Sequence, residues 1–438
     1  MKTKFQETEI GLIPEDWEYL TVQGLIDKEI IEKPLDGNHG SIHPKGNDFV
    51  SEGIPFISAS DIKNGKIDFD SCKFITKTQA DNLQKGFSRY GDVLITHKGV
   101  IGRTALIRHI KTDYVVLTPQ ITYYRIKNSQ KLSNYFLKYF FDFSGFQQLF
   151  KSWAGSGTTR DYLGITEQRK LPIIIPPLLE QENISKILSD LDSKIELNQQ
   201  MNKTLEAIGK AIFKHWFLNF EFPNEQGKPY KSSGGEMVYN EELEKEIPKD
   251  WEVVEFNKIV QLTMGLSPKG ESYNTIEEGI PLINGAADFS DNLIIPKKFT
   301  TQPTRVCEKG DLLFCIRGTI GNLTYADKSY CLGRGVASVT AFNNNFTEYV
   351  FFILNQRLKE MISKASGSVI IGLSKPDILN LKIILPKENV INDFHIQSEL
   401  IFMRLESIKI ENYILSKIRD FLLPKLMSGK IRVPVEAN

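Results

Sequence analysis

The chain has 438 residues, 41% hydrophobic and 25% charged, which are ordinary globular values and exclude a disordered chain. Lys plus Arg number 54 and Asp plus Glu number 54, so attraction to a charged partner has to be local rather than global. The longest apolar runs, such as Leu171 to Leu179, fall far short of the ~18 residues of a membrane span. Met1 to Glu9 is polar throughout, so a cytoplasmic protein with no membrane partner is expected. Cys72, Cys307, Cys315 and Cys331 form no CxxC pair, which argues for a reducing compartment and buried, unpaired thiols.

In chain order, IPEDWE (13–18) is followed by GIPFI (53–57) and GDVLITHKGVIG (91–102), with a strand expected over Val93 to Thr96. A helix follows over Leu132 to Phe141, then the loop GSGTTRDYLGIT (155–166) and a strand over Ile173 to Ile175. Beyond Pro176 and Pro177 runs a long helical pattern. Ile184, Leu191, Asn198, Leu205 and Ile212 fall on one seven-residue repeat, flanked by Leu188 and Ile195. The stretch FPNEQGKPYKSSGG (222–235) reads as a linker.

The pattern then repeats. IPKDWE (247–252), GIPLI (279–283), GDLLFCIRGTIG (310–321) and SGSVIIGLS (366–374) match the first copy in the same order, with Gly164 paired to Gly372. A strand over Leu312 to Cys315, a helix over Thr347 to Lys364 and a strand over Ile383 to Leu385 are expected. After Pro386, the residues Phe394, Ile401, Ile408, Leu415 and Leu422 make a second seven-residue stripe, with Pro424 and Gly429 interrupting it near its finish. Aligning the two helices pairs Asn202 with Asn412, Leu205 with Leu415 and Ile208 with Ile418. The first copy carries longer loops between the shared pieces. A persistent framework with loops of changing length is how binding domains of differing specificity look.

Stripes of this regularity are coiled-coil seams, and a rod of this kind spans about 50 Å. Each helix could instead pack on its own domain, but matching seams in one chain point to mutual packing. Asn198, Asn202 and Asn412 lie on or beside the seam, where a buried Asn fixes register, or else at its solvent edge.

Catalytic motifs are missing. Every Gly-Lys pair lacks the remainder of a GxxxxGK[ST] phosphate loop, and no GxGxxG or Asn-Pro-Pro-Tyr type loop occurs. The six histidines show no metal-ligand spacing, and no compact Asp/Glu/Lys cluster suggests a nuclease. His97, beside a Gly-rich turn, is the one histidine near a candidate functional loop, with a plain surface residue as the alternative. These absences favour a binding protein. Between Lys85 and Lys127 the basic residues Lys85, Arg89, Lys98, Arg103, Arg108, Lys111, Arg125 and Lys127 outnumber Asp92 and Asp113, with tyrosines interleaved. Arg305 to Arg334 repeats the bias more weakly. Such a run is a solvated face or a phosphate-neutralising patch, and its recurrence as Lys98 and Arg317 in the same motif favours the patch.

These motifs resemble the specificity subunits of type I restriction–modification enzymes. IPEDWE/IPKDWE and GDVLITHKGVIG/GDLLFCIRGTIG are similar to the opening and middle motifs of that family's two target recognition domains. KTLEAIGKAIFKHWFLNFEFP (203–223) is similar to the end of its central helix, GKPYKSSGGEMV (227–238) to the joint after it, and IRDFLLPKLMSGKIRV (418–433) to its C-terminal helix. The resemblance covers nearly the whole chain. It implies an α+β fold, with two pseudo-repeated α/β target recognition domains separated by two long antiparallel coiled-coil helices. The expected partition is recognition domain 1 at 1–177, central helix at 178–219, linker at 220–244, recognition domain 2 at 245–387, C-terminal helix at 388–430 and tail at 431–438.

The resemblance also implies that each domain reads one half of a split double-stranded DNA target, with the helices setting the gap and docking two methyltransferase subunits. No cofactor or metal is expected in this chain. S-adenosylmethionine, ATP and Mg belong to the methyltransferase and the restriction/translocase subunits. Candidate DNA contacts are Lys98 and Arg317 beside Gly99 and Gly318, Arg103 and Asn322 just after those turns, and Arg160, Arg334 and Lys375 in other loops. Since the turn is framework common to both copies, Arg317 is expected to hold a phosphate, whereas base-reading residues should differ between copies. The subunit-interface and coiled-coil positions are Leu191, Asn198, Leu205, Ile212, Ile401, Ile408, Leu415 and Leu422. Two alternatives are a recognition half whose catalytic parts are fused in relatives, and a duplicated protein scaffold that never touches DNA.

Overall fold

The computed structural model describes residues 4–155, 161–290, 293–364 and 372–434. The chain divides into two compact units, Met1–Glu196 with Ile414–Asn438, and Leu197–Tyr413. The first unit is discontinuous in sequence, and the two long helices are the reason.

The central helix, Leu178–Phe213, is 36 residues long and therefore spans about 54 Å. The C-terminal helix, Glu388–Met427, is 40 residues long. Within the first unit, Ile184 and Leu188 share a core with Leu426 and Met427, and Arg419 reaches Asp192 at 3.0 Å. Within the second, the Asn198 amide donates to Glu411 Oε2 and to Asn412 Oδ1, both at 3.0 Å, while Met201 faces Arg404. In each unit one residue number rises as its partner's falls, so the segments run antiparallel.

Buried positions recur at three-, four- or seven-residue steps along both helices: Ile184, Leu188, Ile195 and Asn198 on one, Ile391, Phe394, Ser398, Phe402, Leu405 and Ile408 on the other. The single seven-residue stripe captured half of this seam. Among the named positions Asn198 and Ile408 are fully buried, and Leu191, Leu205, Ile212, Ile401, Leu415 and Leu422 are half-buried. Asn198 thus sits on the seam and not at its solvent edge. Its Oδ1 and that of Asn202 have no partner among the described residues.

Each unit carries the same pair of sheets. In the first, a five-stranded sheet runs 87–88, 115–117, 54–57, 73–75, 49–50, and a four-stranded one 104–106, 93–96, 121–124, 35–36. In the second, the corresponding orders are 306–307, 330–332, 280–283, 298–300, 273–274 and 321–325, 312–315, 336–341, 260–264. Val93–Thr96 and Leu312–Cys315 are buried on both faces, which is why each reads as a continuous apolar run rather than an alternating one. One face of the four-stranded sheet is covered by helices: Asn134–Asp142 and Ser144–Ala154 in the first unit, Thr347–Lys364 in the second. Phe143, extended at φ −60° and ψ 130°, splits the first of these into two.

Three sequence readings need correction. Pro424 does not interrupt the second helix, which continues to Met427, and Gly429 at φ +64° follows its end. A single proline forfeits one N–H bond, and the surrounding burial of Leu426 and Met427 outweighs that loss. The supposed linker is folded. Phe222 is buried and stacks on Tyr230 (4.6 Å) and Trp251 (4.8 Å), and Met237–Asn240 pairs with Lys245–Pro248. Its Gly/Pro/Ser composition hid two aromatic anchors. Finally, Gly164 corresponds to Ser374, not Gly372, because each caps the short helix that precedes the matching strand.

The repeated units differ where sheet meets helix pair. In the first, Asp192 accepts from Tyr139 Oη (2.7 Å) and Arg419 and lies 3.9 Å from the buried Lys138. The helix alignment places Phe402 where Asp192 stands and Gly209 where Arg419 stands. There Phe402 packs on Phe351 and Phe352, at 5.0 and 5.5 Å. Likewise Arg432 bridges Glu180 and Asp16 over the Trp17 ring, whereas Phe222 covers Trp251 in the second unit.

Burial pushes the Asp192 carboxyl up, but Lys138, the Tyr139 hydroxyl and Arg419 more than offset it and hold it below the ordinary carboxylate value. A depressed carboxylate contributes stability that is present above its unfolded pKa and lost as pH falls through the folded one. Wild-type protein should therefore lose stability to urea as pH drops below about 4, and Asp192→Asn should be less stable near neutrality with a flatter acid limb. An acid limb unchanged by Asp192→Asn would remove this cluster from the stability of the unit.

Candidate nucleic-acid interface

The turn between strands 93–96 and 104–106, and that between 312–315 and 321–325, is built on two glycines with positive φ. They are Gly99 (+78°) and Gly102 (+83°) in the first unit, Gly318 (+69°) and Gly321 (+122°) in the second. Lys98 and Arg317, each immediately before the first glycine, are exposed. A second loop docks on each turn in the same way. Leu163 N donates to His97 O at 3.0 Å, and Leu373 N donates to Ile316 O at 2.9 Å. A third loop closes the arrangement: His97 N donates to Gln120 O, and Ile316 N to Gly335 O, both at 2.9 Å. In both units, three loops distant in sequence are thus hydrogen-bonded into one edge.

His97 is not a surface residue. It is fully buried, and its Nδ1 lies 3.0 Å from Leu163 O; a carbonyl only accepts, so Nδ1 carries the proton. Burial holds its pKa below the usual value, keeping the ring neutral, and Nε2 has no partner among the described residues. The ring serves as a pin between the two loops.

The structure sorts the predicted contacts. Arg317, Arg334 and Lys375 come together at the loop edge of the second unit, all exposed, and none has a carboxylate partner among the described residues. Arg305, Lys309 and Lys328 are likewise exposed and have no carboxylate partner among the described residues. Lys98 is exposed on the corresponding edge of the first unit, its Nζ 5.7 Å from the Tyr162 ring. Arg160 lies outside the described residues.

Two candidates are occupied otherwise. Arg103 Nη1 donates to the carbonyls of Ala59 (3.3 Å) and Ile62 (3.2 Å), tying neighbouring loops together. Asn322, at φ +53°, turns its amide toward Cys315 Sγ at 3.7 Å and lines a cleft of about 340 Å³ with Leu205, Gly209, Phe352 and Phe402. The basic run from Lys85 to Lys127 is also largely spent internally. Lys85 pairs with Asp36, Arg125 with Asp92 at 2.7 Å, Lys127 with Glu29 at 2.6 Å, and Arg89 approaches Glu32 at 3.8 Å. Sequence counting could not separate these structural pairs from free cations.

All four cysteines are free and buried, and burial pushes the Cys307 thiol up to about 12. Among the described residues no cluster of His, Cys, Asp and Glu could hold a metal ion, and no helix is long and apolar enough to cross a membrane.

Comparison with known proteins adds three findings. The family model described as "Type I restriction modification DNA specificity domain" matches twice, at residues 14–207 and 248–416. The chain is 28% identical over 438 positions to a Methanocaldococcus jannaschii protein provisionally named the type I restriction enzyme MjaX specificity subunit, covering 98% of this chain and 97% of that one. It is 27% identical to the MjaIX specificity subunit of the same organism, covering 99% and 97%. The crystal structure of the S subunit of a type I restriction–modification system from M. genitalium shares the fold, with a TM-score of 0.62 at 16% identity over 94% of this chain and 96% of that chain. With two matched domains spanning most of its length, the chain belongs to the type I restriction–modification specificity family, as a DNA-recognition subunit rather than a catalytic one.

Proposed function

We propose that each unit reads one half of a split DNA target, and that the helix pair sets the gap between the halves. The observation that carries this reading is the loop edge built twice on the same hydrogen bonds, with an exposed cation, Lys98 or Arg317, before a positive-φ glycine. A glycine there lets backbone and a neighbouring cation approach a phosphate closely. In this reading both residues hold phosphates. Arg317→Ala or Lys98→Ala should weaken binding to all sequences alike and reduce the slope of log affinity against log salt by about one. Titration of the assembled complex with specific and random duplexes checks this. Loss confined to the specific duplex would instead make the residue a base reader.

The helices act as a spacer in this scheme. A change in one helix alone would break the Asn198–Asn412 register. Matched insertion of one heptad after Gln200 and after Ile410 keeps the seam. It adds about 10 Å to the pair, the length of about three base pairs at 3.4 Å each. The gap in the methylated sites should lengthen by no more than that, with both half-sites unchanged. Altered half-sites with an unaltered gap would reverse the roles of helix and domain.

Methylation and cleavage fall to partners in this reading: two methyltransferase subunits using S-adenosylmethionine, and restriction/translocase subunits using ATP and Mg. Docking on the helices is supported by a second apolar stripe on the C-terminal helix, outside the seam. Ile396, Leu400, Met403 and Ile410, spaced by four, three and seven residues on one face, are 67%, 71%, 61% and 49% exposed. Leu400→Glu with Met403→Glu should reduce co-purification with the methyltransferase at least tenfold while leaving the melting temperature within a few degrees. Undiminished co-purification would place the docking surface elsewhere.

A further inference from the structure

The two units share their phosphate-holding turn, so what makes their readings differ has to lie where the frameworks coincide but the side chains do not. One position satisfies this most directly. In the second unit Val336 N donates to Gly333 O at 3.1 Å, closing a four-residue turn with Arg334 as its second residue. In the first unit Ile121 N donates to Thr118 O at 3.2 Å, closing the same turn with Pro119 in that place. The equivalence is fixed on both sides. Gly333 N donates to Ile283 O as Thr118 N donates to Ile57 O, and Gly335 O accepts from the Ile316 turn as Gln120 O accepts from the His97 turn.

The turn that presents Arg334 is held rigidly. A Cβ on Gly333 would stand 2.4 Å from Asn284 Oδ1, and one on Gly335 would stand 2.2 Å from Asn284 O. The turn therefore packs tightly on Asn284, on its backbone carbonyl at Gly335 and on its side-chain oxygen at Gly333. Asn284 is itself fixed, its N–H donating to Asp288 Oδ2 at 2.7 Å, and Arg334 N donates to Ser267 Oγ at 3.3 Å. From this base the Arg334 side chain projects exposed, with no carboxylate partner among the described residues. Proline is the favoured residue at the second position of such a turn, so an arginine there is not explained by turn chemistry.

We propose that Arg334 reads a guanine in the half-site of the second unit, through its two-pronged guanidinium on the O6 and N7 edge. The proposal rests on the split-target reading above and names the specificity-determining residue within it. A rigid mount suits a bidentate base contact, whose geometry is narrow, whereas a phosphate tolerates any nearby cation. The first unit, with Pro119 in the same place, has no such reader there and must specify its half-site from other loops.

The test maps methylated sites in cells expressing the full chain with its partner subunits, as wild type, Arg334→Ala and Arg334→Lys. Arg334→Ala should reduce preference for guanine at one position of one half-site by roughly 5- to 150-fold, leaving the other half-site and the gap intact. Arg334→Lys keeps the charge and loses the fork, so overall methylation should persist with the same relaxation. Three results would overturn the assignment: unchanged site preference in Arg334→Ala, full discrimination retained by Arg334→Lys, or relaxation in both half-sites. A wild-type complex whose sites are not split would overturn the underlying reading instead, and is distinguishable because it needs no variant.

Discussion

Two long apolar stripes that require burial, and find it both on each other and on the core of the unit they enter, decide how this chain runs. A seam residue such as Ile184, Leu188 or Ile408, buried to below 1% exposure, gains on the order of 1.5–3 kcal/mol over leaving it in water. Repeated along both helices, that gain outweighs the entropy of bringing distant parts of the chain together, which grows only slowly with loop length. Antiparallel pairing then forces Ile414–Asn438 to return to the first unit, and that unit is completed only when the end of the chain arrives. The contacts of Asp192, Glu180 and Asp16 with Arg419 and Arg432 are consequences of this return.

The same constraint explains how two copies of one framework keep distinct interiors. At matched positions the first unit uses carboxylates with arginine, lysine and tyrosine, and the second uses phenylalanine packed on phenylalanine or tryptophan. Either solution fills the junction, but they do not mix. Asp192 placed beside Gly209 would be a half-buried charge without its cation, and Arg419 placed against Phe402 would be a half-buried cation without its carboxylate. Either mismatch would destabilise the junction. Each half of the seam is thereby matched to the other half and not to itself. The loop edges, which carry no such burden, are free to diverge, as Pro119 and Arg334 have.

Much of this was legible in the residues. The strands Val93–Thr96 and Leu312–Cys315 and the helix Thr347–Lys364 read correctly, because apolar runs between glycines and a capped amphipathic pattern are local signals. The duplication was visible because both copies retain the turn glycines and the Asp-Trp-Glu motif. What stayed hidden depends on contacts distant in sequence. The seam includes Ser398, and Gly209 is buried against Phe352, neither of which any hydrophobicity pattern marks. The folded stretch at 220–240 is held by Phe222 on Trp251. Arg103 and Arg125 look like any other cation until their carbonyl and carboxylate partners are seen. His97 looked exposed because its neighbours are glycine and lysine, whereas burial there comes from the loop around Leu163.

On the function proposed above, one chain carries two readers at a set separation. Genome-wide mapping of methylated bases in cells expressing the wild-type chain with its partner subunits tests it most directly. The expected result is a single motif of two short specified elements separated by a gap of constant length and unspecified sequence. A continuous motif, or two elements whose separation varies from site to site, would contradict it.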